Sequence, residues 1–90
     1  MSDAMAALQR RFRSRAAADL NRIEWLRVTE QTSTDLQRLV HDLAGAACLF
    51  GYPALGEAAL AIDDCYARGE APESGLFDRL TPLLREAAAD

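Results

Sequence analysis

His41 is the only histidine in the chain, and its side chain is the one whose chemistry stands out. A neutral imidazole is a nucleophile, and near neutral pH much of an ordinary accessible histidine is in that form. A phosphoryl group attached to the ring would bring negative charge and acceptor oxygens, so an arginine nearby is its expected companion. Arg38 precedes His41 by three residues and Gln37 precedes it by four, which puts both on the same helical face. The spacing therefore places the nucleophile His41 beside a cation and an amide, Arg38 and Gln37, which could contact a phosphoryl group on the ring.

Small residues follow His41 on the same predicted face. Ala44, Gly45 and Cys48 come three, four and seven residues after it. A glycine inside a helix costs about 1 kcal/mol relative to alanine, so Gly45 needs a reason. One reason is clearance for a modified ring and for a partner protein, and we expect Ala44, Gly45 and Cys48 to form such a docking surface. Close packing against a neighbouring helix is a second explanation, and the two are compatible.

The five residues from His41 to Gly45 read His-Asp-Leu-Ala-Gly, which resembles the His-x-Leu-Lys-Gly motif of histidine-containing phosphotransfer (HPt) domains. The resemblance continues through a glycine-containing turn into the next helix, at Ala46, Ala47, Leu49, Phe50, Gly51, Leu55, Leu60, Asp63 and Asp64. One position departs from the family. Ala44 stands where lysine is usual, which removes a cation expected to steady the phosphoryl group. Arg38, one helical turn from His41, is the candidate to compensate.

The resemblance implies a phosphorelay intermediate. His41 would accept a phosphoryl group, on the ring nitrogen that points to solvent, from a receiver-domain aspartate or a hybrid kinase, and would pass it to a response regulator. The chain would then be a stoichiometric phosphocarrier rather than an enzyme, with a receiver domain and a sensor or hybrid histidine kinase as partners. It would need no cofactor or metal of its own, because the receiver brings the Mg²⁺. The alternative, motivated by Ala44, is a degenerate HPt-like docking module that binds a kinase or receiver without carrying phosphate.

Hydrophobic periodicity predicts the helices that must position His41. A first helix to about Val28 has its apolar stripe at Met5, Leu8, Phe12, Ala16, Leu20, Ile23 and Leu26, with Ser2 or Asp3 as its cap. Trp25 lies off this stripe. We expect it to pack at the end of the bundle, and the alternative is an exposed indole near a partner surface. A second helix should run from about Asp35 to Phe50, with its core stripe at Leu36, Leu39, Val40, Leu43, Ala47 and Phe50.

The ends of the later helices carry turn and cap signals. Thr34 with Gln37 fits a capping box for the second helix, and Ser33 is a competing cap. Pro53 should open a third helix that Gly69 ends, and the fourth should kink at Pro82 or restart there. Short loops make successive helices antiparallel. We therefore predict an all-α, up-down-up-down four-helix bundle, with residues 1–90 forming a single HPt-like domain.

Composition limits the other function classes. Half of the residues are hydrophobic and 27% are charged, which is typical of a compact domain. No apolar run could span a membrane and no secretory signal is evident, so we expect a cytoplasmic protein. We also expect it to be a monomer. The net charge of −4 argues against nucleic-acid binding in spite of the arginines between residues 10 and 15. The start at Met1 and the complete bundle favour a free-standing protein.

The two cysteines are not expected to pair. If the second and third helices turn near Gly51, Cys65 lies about ten residues beyond Cys48, or roughly 15 Å. The Cα atoms of a disulfide lie within about 7 Å of each other. We expect both cysteines to be buried as small hydrophobic side chains.

Overall fold

The structure is a computed structural model that describes residues 3–89. Its elements are α1 (Asp3–Thr29), α2 (Thr34–Leu49), α3 (Pro53–Ala67) and α4 (Ser74–Ala89). Within the described residues there are four helices and no strand, which confirms the predicted all-α fold. The helices form an antiparallel four-helix bundle in which α1 packs on α2 and α4, and α3 packs on the same two neighbours. Ser2, one of the two predicted caps of α1, lies outside the described residues.

Helix α1 is longer than the rest of the bundle. Its 27 residues make a rod of about 40 Å, whereas the other helices reach about 24 Å. Phe12 is its first buried residue, and the ring lies 5.3 Å from that of Tyr52 and 5.6 Å from that of Phe50. The turn preceding Phe12 projects past the α2–α3 connection. Met5 and Leu8 are therefore exposed, and their predicted place in the core is wrong.

The two ends of α2 differ slightly from the prediction. Ser33 is the N-cap, since its side chain accepts a hydrogen bond from the Leu36 amide, so the capping box at Thr34 is wrong. With Ser33 as cap, Gln37 comes one residue too late to complete a box, and its amide donates to the Thr32 carbonyl instead. At the other end Gly51 has φ +90°, a left-handed conformation of the kind that commonly follows the end of a helix.

The predicted core stripe of α2 is buried, except that Phe50 is half-buried. In α3, Pro53 occupies the first turn, and Gly69 has φ +74° just beyond the helix. Helix α4 runs unbroken through Pro82, so a restart there is wrong. Pro82 lies on the exposed side of α4, while Thr81 and Leu84 around it remain buried.

Trp25 does not pack in the bundle. Its side chain is 67% exposed, because it is rotated about 200° around α1 from the buried Ile23. The predicted packing of Trp25 is therefore wrong. Among the described helices, none combines the length and apolar character needed to cross a membrane.

Candidate functional site

His41 lies on α2 with its side chain 70% exposed, and its imidazole forms a hydrogen bond with one residue of α3. Its Nδ1 is 3.0 Å from Oδ2 of Asp63, whose side chain is 23% exposed. In the neutral ring the carboxylate accepts a hydrogen bond from Nδ1–H, which leaves the lone pair on Nε2. The nitrogen that can attack an electrophile is therefore the one that Asp63 does not hold.

The carboxylate also changes the acidity of the ring. The hydrogen bond from His41 to Asp63, followed by the negative charge of Asp63, raises the pKa of His41 above its ordinary value. The charge of Asp42 raises the pKa of His41 by a smaller amount, and desolvation of the ring lowers it. Near neutral pH a larger share of His41 is imidazolium than in an isolated histidine. This favours a positively charged ring, which is the state produced when Nε2 carries a phosphoryl group while Nδ1 keeps its proton.

A shallow hollow of about 310 Å³ opens beside the imidazole, between α2 and α3. We call it the His41 hollow, and its lining residues are His41, Ala44, Gly45, Cys48, Gly56, Glu57, Leu60 and Asp63. The structure thus brings the three small residues of the predicted docking surface together with His41. A larger hollow of about 540 Å³ lies where α2 turns into α3. Among the described residues that line it, Glu86 is the single charged one, and His41 is not part of it.

The two glycines of the His41 hollow have different surroundings. A Cβ added to Gly45 would meet no atom within 4 Å, so close helix packing does not explain this glycine. Gly56 is buried, and a Cβ there would overlap Cys48 Sγ and lie 3.3 Å from the Cys48 amide nitrogen and 3.4 Å from the Ala44 carbonyl oxygen. Gly56 therefore allows the close approach of α3 to α2, while Gly45 leaves open space beside His41.

The residues predicted to support a phosphoryl group are placed differently from each other. Arg38 is exposed and makes no hydrogen bond or ion pair with any part of the chain that the structure describes. The amide of Gln37 lies 3.0 Å from the Thr32 carbonyl oxygen and is directed at the α1–α2 loop. Neither side chain lines the His41 hollow. Arg38 is an available cation one turn from the imidazole, whereas Gln37 is held elsewhere.

Asp63 is the main site residue that was not predicted from the sequence. It was named only beside Asp64 in the family resemblance, without a role at the site. A signal was available. His41 and Asp63 are equally distant from Tyr52, eleven residues on each side, and Tyr52 directly follows the α2–α3 turn. In an antiparallel helix pair, residues equidistant from the turn lie at the same level. Gly56, Glu57 and Leu60 were also missed, and they face the hollow from the same side of α3.

The cysteines agree only in part with their prediction. Both are free, which confirms that they do not pair. Cys48 is exposed and Cys65 is half-buried, so their predicted burial is wrong. Cys48 lines the His41 hollow, where its Sγ faces Gly56 of α3. Across residues 3–89, no group of three His, Cys, Asp or Glu side chains is placed to hold a metal ion.

Comparison with known proteins gives one match. The family model described as Hpt domain matches residues 7–90. Searches of curated proteins and of solved structures returned no match. The matched range contains His41, Asp63 and every residue of the His41 hollow.

Proposed function

Because the chain belongs to the Hpt domain family, whose members are phosphocarriers in histidine–aspartate signalling, we propose that His41 is the residue that carries the phosphoryl group. The observation that supports this most directly is the geometry of the imidazole. Its Nδ1 is held 3.0 Å from Asp63, its side chain is 70% exposed, and the space beside it is open. These are the requirements of a nucleophile that a second protein must reach.

The proposed reaction is an in-line displacement. The Nε2 lone pair of His41 attacks the phosphorus of an aspartyl phosphate on a receiver domain. The N–P bond forms as the bond from phosphorus to the aspartate oxygen breaks, and the aspartate leaves as a carboxylate. The ring becomes positively charged, with Nδ1–H still donating to Asp63. Transfer to the next receiver is the same reaction in reverse, so His41 returns to its neutral form.

The partners and their order are part of this proposal. A receiver domain or a hybrid kinase donates the phosphoryl group, and the receiver domain of a response regulator accepts it. The receiver supplies the Mg²⁺ and the acidic residues, and this chain acts as a monomeric carrier with no cofactor of its own. We place it in the cytoplasm, and we expect no binding to nucleic acid because the net charge is −4.

A labelling experiment tests the proposal. The purified chain is incubated with a phosphorylated receiver, and separately with phosphoramidate, a small donor that needs no partner. We expect an acid-labile, base-stable label on the wild-type chain and none on His41→Gln. Circular dichroism of the variant checks that the fold is retained, as expected for an exposed residue. Label that persists on His41→Gln would overturn the assignment.

A docking module that carries no phosphate is the second candidate. It is favoured by the charges of the His41 hollow, which is lined by two carboxylates, Glu57 and Asp63, and by no lysine or arginine. Ala44 leaves the hollow without the cation that the family usually has. In this case the chain would bind a receiver or kinase tightly enough to measure by calorimetry, while neither donor would label His41.

A further inference from the structure

Glu57 is a charged residue of the His41 hollow that the proposed reaction does not use. It is exposed, and within residues 3–89 its carboxylate has no hydrogen bond or ion pair. It precedes Asp63 by six residues on α3, which is about 9 Å along the helix axis. Glu57 therefore lies at the rim of the hollow, outside the reach of the imidazole but inside the area that a docked protein must cover.

The other carboxylate of the hollow is already satisfied. Asp63 accepts the hydrogen bond from His41, so the negative charge of Glu57 is the one left without a partner. Between them lies Leu60, with its side chain 49% exposed. A protein that covers Leu60 removes water from this rim and thereby strengthens the effect of any charge that it places near Glu57. An anionic group there would be repelled, and a cationic group would be attracted.

We propose that Glu57 selects among receiver domains, favouring those that present a lysine or arginine at the rim of the phosphoryl-aspartate pocket. This inference rests on the proposed function, because it takes phosphotransfer at His41 as the event that brings the receiver to the hollow. The receiver pocket is itself acidic, so a docked receiver needs a cation at its rim to face α3 without repulsion. Charges at the rim of an interface act mainly on the association rate and on the choice of partner.

The negative charge of the His41 hollow also argues against other molecules as its binding partner. Nucleic acid and anionic lipid headgroups both need cations, and no lysine or arginine lines the His41 hollow. A second copy of this chain could offer Arg38 to Glu57, since both are exposed and unpaired in the described part of the chain. That occupant would make the chain a dimer, which a mass measurement detects.

The test uses charge reversal with a matched control. Glu57→Lys and Glu86→Lys change the net charge equally, and both sites are exposed helical positions. Glu86 lies on α4, which does not pack against α2. Each chain is first labelled with phosphoramidate and then mixed with purified receiver domains, half with a basic and half with an acidic residue at the rim of the aspartate pocket.

We expect wild type and Glu86→Lys to transfer about tenfold faster to the basic-rim receivers, and Glu57→Lys to reverse that preference. The preference should weaken as salt is raised from about 0.05 to 0.5 M, because rim charges are screened. Equal preferences in the two variants would overturn the inference while leaving the proposed function intact. So would a wild-type dimer that Glu57→Lys dissociates, because a second copy would then be the occupant. A chain that phosphoramidate fails to label at His41 would overturn the proposed function, and this inference with it.

Discussion

The α2–α3 and α1–α4 seams of the bundle are closed by different kinds of side chain. Across α1–α4 the charges pair with each other, as in Arg27 with Asp78 at 3.0 Å and Arg85 with Glu24 at 3.1 Å. In the α2–α3 seam the helices approach closely because Gly56 has no side chain between the two backbones. The first arrangement uses its charges within the chain. The second brings two backbones together and leaves the rim of the seam available to a partner.

The two seams also differ in the charged side chains that have no partner within the described residues. The α2–α3 side has one internal charge contact at the candidate site, from His41 to Asp63, and that contact holds Nδ1 of the ring while Nε2 stays free of it. Glu57 and Arg38 near it have no partner in the described residues. Unpaired exposed charges contribute little to folding, but they can select a partner and speed its association. Both seams are packed, but the α1–α4 seam pairs its charges within the chain, whereas the α2–α3 seam leaves charges unpaired beside His41.

The largest effect expected within this comparison is on stability, at the glycines. Gly56→Ala should lower the free energy of unfolding by about 1–2 kcal/mol, because overpacking against Cys48 and Ala44 exceeds the gain in helix propensity. Gly45→Ala should raise the same free energy by about 1 kcal/mol, since nothing lies near the added methyl group. Arg85→Ala, which breaks an exposed ion pair of the other seam, should cost less than about 1 kcal/mol.

Urea denaturation of the three variants measures these differences. The comparison of the seams predicts opposite signs for the two glycines, although both line the same hollow. If Gly45→Ala destabilised the chain as much as Gly56→Ala, Gly45 would be a packing glycine, and its role as clearance would be lost. A larger cost for Arg85→Ala than for Gly56→Ala would show that the ion pairs of α1–α4 contribute more to stability than the close approach of α2 and α3 at Gly56.

The second effect concerns the contact between His41 and Asp63. The neutral ring attacks, so phosphorylation should accelerate as pH rises through the pKa of His41. Asp63 raises that pKa. Asp63→Asn should therefore shift the pH profile to lower pH and reduce the maximal rate about tenfold, because the amide stabilises the charged ring less well. Asp64→Asn is the matched control, as it removes the neighbouring exposed carboxylate.

Proton NMR titration of the imidazole and phosphoramidate labelling at several pH values provide the two readouts. The raised pKa also means that the His41–Asp63 pair stabilises the fold below the ordinary histidine pKa, and that this contribution is lost as pH rises through the pKa in the folded chain. An unchanged titration in Asp63→Asn, or an equal shift in Asp64→Asn, would show that Asp63 does not control the ring.

Features within one helix were easier to predict from the sequence than contacts between helices. Helix positions follow from apolar spacing within one element, so α2 and its exposed His41 were predicted from local pattern. Ser33 was predicted only as a competing cap, because Thr34 offers the same hydroxyl one residue later and only the backbone geometry distinguishes them. Trp25 was expected to pack at the end of the bundle although it lies off the apolar stripe, and its angle on α1 directs it to solvent.

Relations between elements were harder to predict. The contact of Asp63 with His41 depends on the register of α3 against α2, which a turn of a few residues sets. The role of Gly56 depends on the distance between two backbones, which no residue pattern within α3 states. The sequence motif led to Gly45 instead, because a glycine one turn after a histidine is a local feature. Local chemistry was therefore predictable, the level of Asp63 opposite His41 could have been read from the turn, and the role of Gly56 required the structure.

The smallest effect concerns the cation at the site. Arg38→Ala should slow phosphotransfer about threefold, the size expected for one exposed charge near a phosphoryl group, and Arg79→Ala on α4 is the control with the same loss of charge. Ala44→Lys adds the lysine that the family usually has, so it should accelerate transfer more in the Arg38→Ala background than in wild type. Transfer rates of the four chains form a double-mutant cycle that measures this coupling. If both substitutions left the rate unchanged, the partner would supply every cation that the phosphoryl group needs, and the unpaired charges of the α2–α3 side would serve docking alone.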